Sequence, residues 1–218
     1  MGETGTKDAI LDAAEQLFSS QGFASTSLRA IIREAGVNTA SIHYHFGSRD
    51  GLIEAVLARR AEPVNRERLE RLDRLEAEFP NARLPVDGVV RAFLGPALKV
   101  VASPGGSTLG RLMGYAIMES GAELRPLVGR IFKGVIERFI PAFVRAIPEI
   151  PPEEVMWRVH FMLGAMVFTI NVPRAHERAG GGVELLHLSP EDAFERLMEF
   201  VTAGMRAPAT QPTGKESP

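Results

Sequence analysis

Apolar residues recur along this chain at helical spacing, and no stretch alternates for long enough to make a strand. Ile10, Ala14, Leu17 and Phe18 share one face of a segment predicted helical over 6–20, and Gly22 stops it. Ser27 stands as a cap before Leu28, Ile31, Ile32 and Ala35, the buried stripe of a short helix that Gly36 ends. Asn38 caps a third helix over 39–45 with Ile42 turned inward. Ser48 caps a fourth, carrying Leu52, Ile53, Val56 and Leu57.

Beyond residue 59 the pattern becomes strongly charged. Glu62 and Arg66, Glu67 and Arg71, and Glu70 and Arg74 stand four residues apart, the arrangement of a solvated helix face, over 59–76. Pro63 falls inside this stretch and predicts a kink or a break. Further helices are predicted over 86–101, 108–120, 124–147, 152–179 and 190–205, with Pro126 in a first turn and Pro141 as a bend. Ser103 to Gly106 and Gly180 to Gly182 read as loops. The fold expected is all-α, with about nine helices. A compact three-helix unit over 1–48 leads through a continuous fourth helix into a larger helical body over 49–206. Residues 207–218, small, polar and proline-rich, are expected to be disordered.

Composition narrows the class. Hydrophobic residues are 45% and charged residues 24%, ordinary for a globular chain, and the absence of cysteine removes disulfides, thiolate nucleophiles and cysteine metal sites. The longest uncharged apolar run, Val159 to Pro173, has 15 residues. A membrane span needs roughly 20. Glu3, Lys7, Asp8 and Asp12 leave no secretory apolar core at the start, so a soluble, cytoplasmic protein is expected. The formal net charge of -2 argues against a uniformly basic nucleic-acid binder. The distribution argues the other way: between Phe23 and Arg49 the cations Arg29, Arg33 and Arg49 face a single acid, Glu34.

That segment holds the candidate chemistry. Thr26 to Asn38 has the form of a helix-turn-helix, with glycine at the turn, an apolar residue next and a new cap after it. The helix that follows offers Thr39, Ser41, His43, Tyr44 and His45, whose hydroxyl, imidazole and phenol groups suit phosphate oxygens and base edges in a major groove. His43 and His45 do not make a metal pair, because side chains two residues apart diverge by about 200° on a helix. No glycine-rich phosphate loop, serine elbow or metal-ligand cluster is present, so neither an enzyme nor a cofactor is expected.

Gly22-Phe23, Thr26-Ser27, Arg29, Ile31, Ala35-Gly36-Val37, Ser41-Ile42, Tyr44-His45-Phe46, Ser48-Arg49 and Leu52 together resemble the N-terminal signature of the TetR family of bacterial transcriptional regulators. The resemblance covers about residues 6 to 57. It implies that Ser27 and Arg29 meet the DNA backbone or a base, and that Thr39, Ala40 and Ser41 face base edges. It implies that His43, Tyr44 and His45 contact phosphates or pyrimidine methyls, and that Arg49, where the family usually has lysine, grips a phosphate. His43 stands where tyrosine is usual, and Ile32 where a small residue is common. The resemblance also implies a ligand-responsive repressor that binds a palindromic DNA operator as a homodimer. Dimeric helix-turn-helix proteins place their reading helices roughly 34–36 Å apart.

The body supplies the candidate dimer and effector surfaces. The segment 152–179 is apolar around most of its circumference, which calls for burial on all sides. It pairs with the stripe Phe194, Leu197, Met198, Val201 and Met205, so the homodimer is expected to form through the last two helices. Candidate contacts for a small apolar or amphipathic effector are Phe93, Met113, Phe132, Trp157, His160, Met166, Asn171 and Arg174. Each apolar one among them is equally an ordinary core residue. The alternative functions are a helical protein-interaction adaptor and a helical enzyme.

Overall fold

The computed structural model of the protein describes residues 3–102, 107–118, 124–179 and 189–209. The loops expected at 103–106 and 180–182, and positions 210–218 of the expected tail, lie outside the described residues. Among the described residues there are nine helices and no strand: α1 (Glu3–Gln21), α2 (Leu28–Ala35), α3 (Thr39–Phe46), α4 (Arg49–Glu78), α5 (Val86–Ala102), α6 (Ser107–Met118), α7 (Arg125–Ala146), α8 (Pro152–Ala179) and α9 (Pro190–Arg206). None of them is long and apolar enough to cross a membrane.

The chain packs as two compact units. The first comprises Met1–Glu67 with Lys99–Gly134, the second Arg68–Leu98 with Val135–Pro218. In the first, α1 packs on α2, α3 and α6. Its core joins Ile10, Phe18, Phe23, Ile31, Ile42, Leu52 and Leu57 to Leu112, Ala116 and Leu127. Each large side chain among them contributes about 1.5–3 kcal/mol when fully buried, so α2 and α3 share one core with α6 and the start of α7. The first helices of that unit are also clamped by charge. Arg59 meets Asp12 at 2.6 Å, and the Arg60 Nε donates to Glu15 Oε1 at 2.9 Å. Two acids of α1 are thereby paired with arginines of α4.

In the second unit, Leu72, Val89, Phe93, Phe139, Phe143 and Val155 are buried. Phe93 and Phe139 meet edge to face with centroids 5.0 Å apart. Arg138 ties α7 to α4 through Asp73 at 2.6 Å and Glu76 at 2.9 Å. Arg158 of α8 is buried and donates to the carbonyls of Met205 at 2.8 Å, Ala207 at 2.7 Å and Pro208 at 2.9 Å. A cation set on the last carbonyls of a helix satisfies groups with no intrahelical partner and opposes the negative end of the dipole. That contact fixes where α9 ends against α8.

Helix α4 runs through Pro63 as one continuous helix, with the missing N–H tolerated. It departs from expectation in its charged stretch, which is not a uniformly solvated face, because Val64, Asn65, Arg68 and Leu72 are buried. Charge spacing reports what a helix can do in isolation. Burial here is decided by distant partners: the Asn65 side-chain amide donates to the Ile131 carbonyl at 3.0 Å, and Arg68 Nε to the Phe93 carbonyl at 2.8 Å.

Candidate nucleic-acid interface

The reading surface is set by a few local bonds. The buried Thr26 hydroxyl donates to the Gly22 carbonyl at 2.8 Å and closes the turn after α1. Ser27 caps α2, its hydroxyl accepting the Ala30 N–H at 3.2 Å. Gly36 adopts φ 64° and ψ 32°, the left-handed conformation that ends α2. Asn38 then accepts the Ser41 N–H at 2.9 Å and the Ser41 hydroxyl at 3.0 Å, starting α3 two residues later. Ile42 is buried and seats α3 on the core.

With Ile42 inward, the polar side of α3 is presented outward. Thr39, Ala40, His43 and Tyr44 are exposed, while Ser41 and His45 are half-buried. Tyr44 is 73% exposed, an unusual position for a phenol in a folded chain. Its ring meets His45 edge-on at 4.9 Å, which restrains the phenol without covering it. His43 Nδ1 lies 3.0 Å from the Gly47 carbonyl. A carbonyl only accepts, so the proton belongs on Nδ1 and Nε2 is the nitrogen left for a further partner. Arg29 and Arg33 are exposed on α2, beside Glu34.

The junction with α4 is equally local. Ser48 accepts the Gly51 N–H at 3.0 Å and caps that helix. The Arg49 guanidinium turns back toward the turn before α2, donating to the carbonyls of Phe23 and, at 3.4 Å, Thr26. Arg49 therefore braces α4 against the α1–α2 turn. Ser27 likewise spends its hydroxyl on capping while remaining exposed. The backbone of α4 approaches α3 so closely at Gly51 that a Cβ there would stand 2.1 Å from the Phe46 carbonyl oxygen. Sequence reasoning passed over Gly51, because glycine in a helix interior reads only as a weak position.

The candidate effector residues do not all converge. Phe93 and Met166 do: both meet Arg68, whose guanidinium lies 4.5 Å from the Phe93 ring centroid and 4.0 Å from the Met166 sulfur. Burial pushes the Arg68 pKa down to about 10. Met113 packs against the core that carries the reading helices, and Phe132 is half-buried on α7. Trp157 and His160 are exposed on α8, the imidazole bonded to the Met156 carbonyl at 2.7 Å. The side chains of Asn171 and Arg174 lie outside the described residues. The sequence signals neither Arg68, which sits in a run of charges that reads as solvated, nor Arg158, a lone cation in an apolar segment. Among the described residues no group of three or more His, Asp or Glu could hold a metal ion.

This geometry matches known proteins over both parts of the chain. The family description "Bacterial regulatory proteins, tetR family" matches residues 10–56, and "Tetracyclin repressor-like, C-terminal domain" matches residues 91–204. The chain is similar to the HTH-type transcriptional regulator UidR of Escherichia coli, 36% identical over 67 residues, covering 27% of this chain and 34% of UidR. It is similar to the HTH-type transcriptional regulator SrpR of Pseudomonas putida, 37% identical over 59 residues, covering 27% of this chain and 28% of SrpR. These matches thus span about a third or less of each relative's own length. Among solved structures, the Bacillus subtilis transcriptional regulator FadR in complex with stearoyl-CoA aligns with TM-score 0.66 at 13% identity, over 90% of this chain and 98% of that one. Pseudomonas aeruginosa NalD, the secondary repressor of a multidrug efflux pump, aligns with TM-score 0.63 at 22% identity, over 93% and 98%. Those two likenesses concern the fold.

Proposed function

The chain belongs to the TetR family of bacterial regulatory proteins, and from that premise we propose that it is an effector-responsive transcriptional repressor acting on a palindromic operator as a homodimer. The observation that carries this reading is the outward face of α3. Thr39, Ala40, His43 and Tyr44 are exposed on a short helix that Gly36 and Asn38 hold at a fixed angle. Ser41 and His45 are half-buried on the same helix, Arg29 is exposed on α2, and Ser27 caps α2. Phosphates would be met by Arg29 and by the start of α4, where Arg49 would grip one by releasing its hold on the Phe23 and Thr26 carbonyls. Residues 1–48 form the DNA-binding part and 49–206 the effector and dimer part of this reading.

Dimerisation would use α8 and α9, which pack on each other. Trp157, Phe161 and Phe168 on α8 and Phe200 on α9 are 63%, 67%, 68% and 71% exposed. Four large aromatics in water on two neighbouring helices are what a second copy of the chain would cover. Two copies then present two reading helices to successive major grooves, roughly 34–36 Å apart. A protein that acts on a bacterial operator would work in the cytoplasm.

Effector action would be a shift between two states with different head spacing, driven only by the ligand's differential affinity for them. The shared core of α1, α2, α3 and α6 supports such coupling, since displacement of α6 would be felt by the reading helices. The test is selection of bound duplexes from a random pool, followed by a gel-shift titration. A palindrome bound by two protomers supports the reading. Retention of no sequence over the starting pool overturns it.

A further inference from the structure

Helix α3, Thr39–Phe46, holds no lysine, arginine, aspartate or glutamate, and no asparagine or glutamine. Those six types supply the polar contacts that best pick out guanine, adenine and cytosine in the major groove. Asn38, the amide just before the helix, spends its side-chain oxygen on the Ser41 N–H and hydroxyl as the cap. The reading of bases by α3 must rest on something else.

The seating of the helix decides which side chains reach deepest. Ile42 is buried at 1% exposure and marks the inner side. At about 100° per residue, Ala40 and Tyr44 both lie about 160° from Ile42, one before it and one after. They stand four residues apart and so are neighbours along the outermost line of the helix. Thr39 and His43 fall on one flank of that line, Ser41 and His45 on the other. Ala40 is exposed, and Tyr44 is 73% exposed. The His45 ring meets the phenol edge to face at 4.9 Å, which limits its swing and leaves most of it in solvent. The crest of α3 is therefore a methyl group beside an aromatic ring.

Major-groove base edges are polar except at one place. Thymine alone presents an apolar group there, its C5 methyl, and alanine and aromatic side chains suit it. We propose that Ala40 and Tyr44 are the specificity element of the operator contact, a two-residue apolar seat for one thymine methyl in each half-site. This rests on the DNA-binding reading above and adds the base that it selects. Burial of the methyl against the alanine Cβ and the phenol face removes apolar surface of both partners from water.

The test deletes the methyl alone. Each thymine of the selected operator is replaced in turn by uracil, and binding of the full-length protein is followed by fluorescence anisotropy. One symmetry-related thymine per half-site is expected to be sensitive. Its replacement in one half-site should weaken binding about 4-fold, and in both about 15-fold, the scale of one buried methyl per site. The salt dependence should stay the same, since no phosphate contact is lost. In Ala40→Gly and in Tyr44→Ala, titrated to saturation, the thymine and uracil duplexes should bind alike. An operator in which no thymine is sensitive, or a sensitivity undiminished in both variants, overturns the proposal and leaves the DNA-binding reading standing. A selection that enriches no sequence overturns the DNA-binding reading, and the thymine seat with it.

Discussion

Gly51 lies against the backbone of Phe46, so close that a Cβ there would come within 2.1 Å of the Phe46 carbonyl oxygen. The same oxygen accepts the Ser48 N–H at 2.8 Å. The end of the reading helix and the start of α4 are therefore in backbone contact, and neither can move without the other. Gly51→Ala must push them apart. Overpacking of this kind costs about 1–3 kcal/mol. Thermal denaturation should show that loss, and a gel shift should show weaker operator binding by a fold that retains its helix content.

Tyr44 tests the reading face without touching the core. Its ring is exposed and its neighbour His45 is the aromatic partner within 4.9 Å. Tyr44→Ala should leave the dimer and its melting temperature unchanged. Operator affinity should fall by roughly 10-fold or more, the scale of one lost specific contact worth about 1–3 kcal/mol. Sedimentation velocity and fluorescence anisotropy read the two effects separately.

The proposed dimer surface has an internal brace. Arg158 holds the carbonyls of Met205, Ala207 and Pro208, fixing the end of α9 beside the exposed aromatics of α8. Arg158→Met leaves those carbonyls without their donor, at about 1–3 kcal/mol. The expected result is a protein that dissociates to monomers at higher concentration than wild type. Phe161→Asp, at an exposed position, should give a folded monomer. A Phe161→Asp protein that stays dimeric by light scattering would remove α8 from the interface.

One ion pair predicts an acid response of definite sign. Arg130 donates to both oxygens of Glu54, at 2.9 and 2.7 Å, and holds its carboxyl below the usual value of 4.5. A carboxylate whose pKa is lowered by folding contributes stability above the usual value, and that contribution is lost as pH falls through the folded value. The melting-temperature gap between wild type and Arg130→Gln should therefore be constant from neutrality down to pH 4.5 and close below it. Both side chains are partly exposed, so the gap is small and should shrink in high salt.

Much of this architecture was legible because its code is local. Ser27, Gly36 and Asn38 specify α2, the turn and α3 within a dozen residues, and the structure has both caps and the left-handed glycine at those positions. Ile42 faces inward as the one large aliphatic side chain of α3. The burial of Arg68 was not legible. Its partners lie 25 and 98 residues away, while its neighbours on α4 alternate in charge like any solvated helix. The orientation of Arg49 was hidden too, since it depends on carbonyls 26 and 23 residues earlier. Pro63 does not interrupt α4: a proline inside a helix removes one bond, and thirty residues of α4 tolerate that loss. Net charge misled by averaging, because it hides the local excess of Arg29, Arg33 and Arg49 over Glu34, while Asp12 and Glu15 are paired with Arg59 and Arg60.

The central claim is sequence-specific binding of a duplex by two copies of the chain through α3. The most direct measurement is analytical ultracentrifugation of the wild-type protein with a selected palindromic duplex, at two salt concentrations, alongside Tyr44→Ala. A complex of two protomers per duplex is expected, weakening as salt rises because phosphate contacts release counterions. Tyr44→Ala should fail to form it at the same concentration. A complex of one protomer per duplex, or one formed equally well by Tyr44→Ala, would contradict the account.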